Sequence, residues 1–139
     1  MSVLEQVRAY LAQYPGLEEL RADCLPPQAG GFSLNAVPSE PVLRTYLDGT
    51  QLRQEKFTLW GRLGYGADTA AQQENLSWFS DFSRWLEGQN RRGCLPALDS
   101  GQTAQSLLPQ DTAAPETIGE NGLGCYQITL QIVYLQQAE

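Results

Sequence analysis

Apolar residues at the start of the chain fall at helical spacing, with Leu4, Val7, Leu11 and Tyr14 on one face. Ser2 and Glu5 stand three apart, the arrangement in which hydroxyl and carboxylate each satisfy a free backbone N–H. A helix is therefore predicted to begin there and to end at Pro15-Gly16. After a turn-rich stretch with Pro26-Pro27 and Gly30-Gly31, residues 32–37 and 41–47 read as short strands. Pro38 and Pro41 punctuate them and suit an exposed edge or a strand start, because proline donates no ladder hydrogen bond. Asp48-Gly49 is a strong turn signal. Beyond it Phe57, Leu59, Gly61, Leu63 and Tyr65 alternate with Lys56, Thr58, Trp60, Arg62 and Gly64, which predicts a hairpin over 46–65 with a long second arm.

A second helix is predicted to start at Asp68 or Thr69, where Thr69 and Gln72 again have capping-box spacing. Ala71, Trp78, Phe79, Phe82, Trp85 and Leu86 give it an apolar stripe broad enough to lie on a sheet, and Gly88 or Gly93 ends it. From Asp99 to Gly124 the chain turns to Gly, Pro, Ser, Thr, Gln and Ala, with Leu107-Leu108, Ile118 and Leu123 as apolar anchors. Either 104–108 forms a strand, or 99–124 is a mobile loop until a partner orders it. The chain closes on strict alternation, Tyr126, Ile128, Leu130, Ile132 and Tyr134 against Cys125, Gln127, Thr129, Gln131 and Val133, the mark of a half-buried antiparallel strand. No repeat or heptad pattern is visible. These elements describe a single α+β domain over 1–139, a mostly antiparallel β-sheet with two α-helices packed on one face.

Composition narrows what such a domain could do. At 139 residues and 42% hydrophobic content, a core can form without metal or disulfide support. The opening Met1-Ser2-Val3-Leu4-Glu5 does not read as a signal peptide, and no apolar run is long enough for a membrane span, so no membrane contact is expected. Cys24, Cys94 and Cys125 are an odd number in unrelated contexts, which points to a reduced, intracellular origin. The chain has no histidine, which excludes Ser-His and Cys-His nucleophiles, histidine metal sites and histidine acid-base chemistry. Nine basic residues face 16 acidic ones, and only Arg91-Arg92 are adjacent, so the clustered cations that release counterions from nucleic acid are lacking. Charged residues make up 18%, below the usual ~25%, while glutamine is abundant; such a surface suits a subunit partly buried in an assembly, or a solvated monomer.

The candidate chemistry is thin. Residues 61–66, Gly-Arg-Leu-Gly-Tyr-Gly, lie largely within a strand pattern and lack both a Gly-Lys-Ser/Thr element and dinucleotide spacing. A strand with a glycine bend is the better reading. Glu18, Glu19, Asp23, Asp81, Glu87, Asp99 and Asp111 could form a carboxylate pair or a hard-metal site, yet share no recognisable spacing, and Asp81 and Glu87 read as solvated helix flanks. Three thiols without histidine leave a zinc set incomplete, and Cys125 reads as a structural thiol. Trp60 and Arg62 stand together on one phase of the long strand, the pairing found at interface centres and one that could also stack on a base or a sugar; alternatively Trp60 packs under a helix. No catalytic, metal or cofactor-binding residue is assigned, and no cofactor is expected. Trp60, Arg62, Leu107 and Leu108 are the residues expected at an oligomer or partner interface.

Several of these pieces occur together in a known family. They are residues 14–17 (Tyr-Pro-Gly-Leu), 39–42 (Ser-Glu-Pro-Val), 46–49 (Tyr-Leu-Asp-Gly), 54–57 (Gln-Glu-Lys-Phe) and 62–66 (Arg-Leu-Gly-Tyr-Gly), then the Trp85 helix followed by Leu95-Pro96, and finally 126–128 (Tyr-Gln-Ile). From about Leu4 to Leu135 the chain resembles the minor capsid, or tail terminator (tail completion), proteins of long-tailed phages and Gram-positive prophages. The resemblance implies a structural virion protein, not an enzyme, made in the host bacterial cytoplasm and located in the tail or neck. Its copies would form a ring, commonly a hexamer, at the head-proximal end of the tail tube. That ring would end tube polymerisation and join tail to head, with the tube protein and the head–tail connector as partners. The acidic balance fits a conduit, since the charge of −7 multiplied around a ring would repel DNA phosphates. Unpaired strand edges and an outward Trp60 could supply the ring contacts, and residues 99–124 could order on docking. Alternatives are another neck or tail-tube component, or, in a different class, a small-ligand-binding domain or carboxylate-based hydrolase.

Overall fold

The computed structural model describes residues 2–22, 31–64, 69–111, 114–118 and 123–138, with side chains described outside 62–75 and 112–125. It contains α1 (Val3–Leu11), β1 (Arg21–Ala22), β2 (Phe32–Val37), β3 (Val42–Thr45), β4 (Gln51–Gly64), α2 (Thr69–Arg91), β5 (Gln102–Pro109), β6 (Ala114–Ile118) and β7 (Leu123–Gln136). This is the expected α+β class. Helix α1 starts where predicted: Ser2 accepts a 3.2 Å hydrogen bond from the Glu5 N–H, and Val3, Val7 and Leu11 point into the core. Helix α2 runs through Gly88 and ends at Gly93, where the Gly93 N–H reaches Asn90 O at 3.1 Å and the Cys94 N–H reaches Gln89 O at 2.9 Å, the Schellman pattern.

The sheet has seven strands and is built on β4 and β7, which pair antiparallel along all 14 residues of each, from Gln51↔Gln136 to Gly64↔Leu123. Strands β2 and β3 lie end to end along the outer side of β4, and β5 and β6 lie end to end along the outer side of β7. The two halves of the chain thus repeat one plan: a helix, then two short strands that lie end to end, then the 14-residue strand with which both of them pair. The short β1 adds a parallel pair beside β2. Of the two alternatives for 99–124, the described residues take the ordered one, contributing β5 and β6.

Register fixes which side chains share a face. Phe57, Leu59 and Gly61 of β4 pair with Leu130, Ile128 and Tyr126 of β7, and this phase faces the helices. From α2, Phe79, Phe82 and Leu86 are buried against it, together with Val7 and Leu11 of α1. Burial of these apolar side chains, at about 1.5–3 kcal/mol each, supplies the main drive for folding. Rings tie α2 to the segment after α1 and to β2: Tyr14 lies 5.3 Å from Phe82 edge-on and 4.9 Å from Trp85, and Trp78 stacks on Phe32 at 4.7 Å. A Cβ on Gly61 would stand 2.7 Å from the Phe32 ring and 3.1 Å from Phe79, so only glycine lets Phe32 lie across the ladder beneath α2.

Gly61→Ala is expected to lower stability by about 1–3 kcal/mol through overpacking. Phe32→Leu in the same chain should recover part of that loss. Urea unfolding of the two single variants and the double variant measures this; additive effects would refute the contact.

Candidate functional site

The opposite face of the sheet carries no described helix, and its chemistry is unusual. Ser33, Asn35 and Val37 of β2 sit beside Trp60, Thr58 and Lys56 of β4, which pair in turn with Gln127, Thr129 and Gln131 of β7. The four buried polar residues among those described, Ser33, Asn35, Gln54 and Thr58, all lie on this face. They are held by side-chain amides and hydroxyls. Asn35 Nδ2 donates to Ser33 Oγ at 3.0 Å, Gln131 Nε2 donates to Gln54 Oε1, and Gln54 Nε2 donates to Glu40 O at 2.7 Å, bridging β7, β4 and the β2–β3 interruption. Lys56 is the one charged side chain on this face among the described residues of β2, β4 and β7.

The four expected interface residues separate here. Trp60 belongs to the helix-free face and is half-buried there, so it does not pack beneath a helix. The backbone of Arg62 continues the same phase, but its side chain lies outside the described residues. Leu107 and Leu108 are neighbours in β5 and therefore point oppositely. Leu108, paired with Gln131, joins the helix-free face, whereas Leu107, paired with Ile132, is fully buried under α2 and presents no side-chain surface to a partner. The backbone of Leu107 is occupied as well: its N–H donates to Asn90 Oδ1 at 2.7 Å and its carbonyl accepts from Asn90 Nδ2. One asparagine of α2 thus takes both strand-pairing groups of Leu107, and strand addition is blocked at that point. No sequence signal marks Asn90 for this task.

The carboxylates considered as a pair are partly brought together. Glu87 of α2 and Asp111 after β5 both line a cleft of about 590 Å³ with Leu76, Phe79, Arg84 and Pro109, and both are exposed. Asp111 Oδ1 accepts from the Thr129 N–H at 2.9 Å, fixing that wall to β7. Asp81 is exposed elsewhere on α2, Asp99 is tied to Gln6 at 2.7 Å, Glu18 caps the Gly16 N–H at 3.0 Å, and Asp23 and Cys24 lie outside the described residues. Cys94 is exposed; the Cys125 side chain lies outside the described residues. Among the described residues no cluster of three or more His, Cys, Asp or Glu could hold a metal, and no helix is long and apolar enough to cross a membrane.

Sequence reasoning did not single out Glu55. It lines a second cleft, of about 360 Å³, with Arg53, Lys56 and Tyr134, and is the one carboxylate among the described residues there. Tyr134 donates its hydroxyl to Glu55 Oε2 at 3.3 Å. Burial nonetheless pushes the Glu55 carboxyl above its ordinary 4.5, against the lowering pull of Tyr134 and Arg53. At the far tip of the β3–β4 hairpin, the Thr50 N–H holds the Asp48 carboxyl below its ordinary value.

Against known proteins, the chain matches no protein-family model and no curated protein.

Because the folded state binds the Glu55 proton more tightly than the unfolded chain does, stability from this group is greatest below about pH 4.5 and declines as pH rises through the elevated value. Glu55→Gln should flatten that decline and melt higher than the parent at neutral pH. Thermal melts from about pH 4 to about pH 8 check this, and parallel curves for the two proteins would refute it.

Proposed function

We propose that this chain is a structural subunit of a tailed-phage virion, a tail terminator. Its copies close into a ring on the head-proximal end of the tail tube, end tube polymerisation and provide the seat for the head. The observation that carries this reading is the helix-free sheet face. A sheet surface that works in water is normally studded with charge, whereas this one presents amides, hydroxyls and Trp60 around a single lysine among the described residues of its three central strands. Ser33, Asn35, Gln54 and Thr58 are buried within the lattice, and the half-buried Trp60, Gln127, Thr129 and Gln131 above them can pack against protein without the cost of desolvating ions. The face therefore suits a subunit that passes from solution into an assembly.

The resemblance to minor capsid and tail terminator proteins supports the specific role, and the overall charge supports a passage for DNA. An acidic ring offers phosphates no counterion release, so the genome slides through without adhering. In this reading the partners are other copies of the chain, the tube protein and the head–tail connector, and the location is the virion tail or neck.

The test is light scattering across a concentration series, alone and with the cognate tail tube protein. A closed oligomer, formed alone or only on the tube, supports the reading; a strict monomer that ignores the tube refutes it. Thr129→Arg, at the centre of the helix-free face, is expected to keep its melting temperature while weakening association with the tube protein about tenfold or more.

A further inference from the structure

Three large apolar side chains are exposed among the described residues, Leu43 (44%), Tyr46 (39%) and Leu47 (110%), and all belong to the β3–β4 hairpin. The turn that presents them is rigid. The Gly49 N–H donates to Tyr46 O at 3.0 Å, the Tyr46 N–H donates to Thr50 O at 2.8 Å, and Gly49 takes a φ of 89°. This is the three-residue hairpin loop, a type I turn followed by a left-handed glycine, and Asp48 Oδ1 locks it through a 2.9 Å bond from the Thr50 N–H. Leu47 stands at the apex with no cover from its own chain. A leucine held out by so ordered a turn implies a receiving surface.

The cleft between α2 and the end of β5 has the matching form. Its apolar lining is Leu76, Phe79 and Pro109, while Arg84 of one charge and Glu87 and Asp111 of the other stand around it. The hairpin carries the reciprocal set, with Arg44 on one side of Leu47 and Asp48 on the other. Hairpin and cleft cannot meet within one chain. β3 lies outside β4 and β5 lies outside β7, and β5 joins the hairpin's end of the sheet at Gln102 while the cleft lies at its other end, roughly 20 Å along the strand.

We infer that the β3–β4 hairpin of one copy seats Leu47 in the α2–β5 cleft of the next, with Arg44 toward Glu87 and Asp111 and with Asp48 toward Arg84. The contact is head-to-tail: every copy gives a hairpin to one neighbour and a cleft to another, the geometry that closes into a ring when its rotation is right. This deepens the ring reading proposed above by naming the surfaces that join its subunits.

The experiment uses the full chain, by light scattering alone and with tail tube protein. Leu47→Asp removes the hairpin knob but leaves the cleft intact. Ser83→Trp, or Ser80→Trp should the former melt early, fills the cleft but leaves the hairpin intact. Each variant is expected to be monomeric, with self-association weakened about tenfold or more, and an equal mixture of the two should form a one-to-one dimer that grows no further, because one competent contact remains. Wild-type assembly undisturbed by Leu47→Asp, or a mixture that stays monomeric, overturns this contact and leaves the ring reading standing. Open chains that Leu47→Asp dissolves support the contact and overturn the closed ring. A wild type that is monomeric alone and with the tube overturns both.

Discussion

The β4–β7 ladder is the constraint on which everything else in this molecule rests. Each remaining strand of the described sheet pairs with one of these two, apart from β1, which reaches them through β2. Because side chains alternate, the pairing of Phe57 with Leu130 decides at once that one phase is apolar and covered by α1 and α2, and that the other carries the amide and hydroxyl lattice. A slip of β4 by one residue would drive Gln54 and Thr58 under the helices and strand Phe57 and Leu59 outside. Separation of dry apolar core from polar face is therefore a matter of register, held by 14 residues on each strand.

Much of this was legible in the residues. The alternation of β7, the bounds of β2, the capped start of α1 and the Asp48-Gly49 turn are local signals, and each element stands where its signal lies. What could not be read is non-local. Whether Trp60 faced the helices depended on which strand phase met α2, and nothing within β4 states that. Bulges between Ala104 and Ser106 and between Pro115 and Thr117, together with Pro109, break the alternation of β5 and β6, so that 104–108 reads as strand or mobile loop and 114–118 carries no strand signal. β1, at two residues, leaves no pattern at all. The repeated plan of the two halves is silent in the sequence because their side chains differ: β4 places Gly61 beneath α2 for Phe32 to cross, whereas β7 fills its covered phase with Tyr126, Ile128 and Leu130.

The candidate surfaces were legible to a lesser degree. Trp60 and Leu108 do share the helix-free face, but adjacent strand residues cannot both reach it, and Leu107 belongs to the core. The Asn90 amide, standing in for a neighbouring strand at Leu107, belongs to the same economy of edges. It closes part of one sheet margin by a side chain, so that strand addition is blocked at Leu107. An asparagine near the end of a helix reads as ordinary polarity until the packing of α2 on β5 is known.

The placement of β4 before α2 and of β7 after it has a kinetic side. Each long strand has a near neighbour in sequence, β3 for β4 and β6 for β7, and can form a hairpin with it soon after collapse. The β4–β7 pairing must instead join segments separated by a helix and two further strands, a contact of high sequence separation that forms slowly. Until it does, both 14-residue strands expose an unpaired inner edge, and that of β7, with Tyr126, Ile128, Ile132, Val133 and Tyr134, is rich in residues that pair readily with other strands. The interval between hairpin formation and closure of the central ladder is when the choice between folding and aggregation is made.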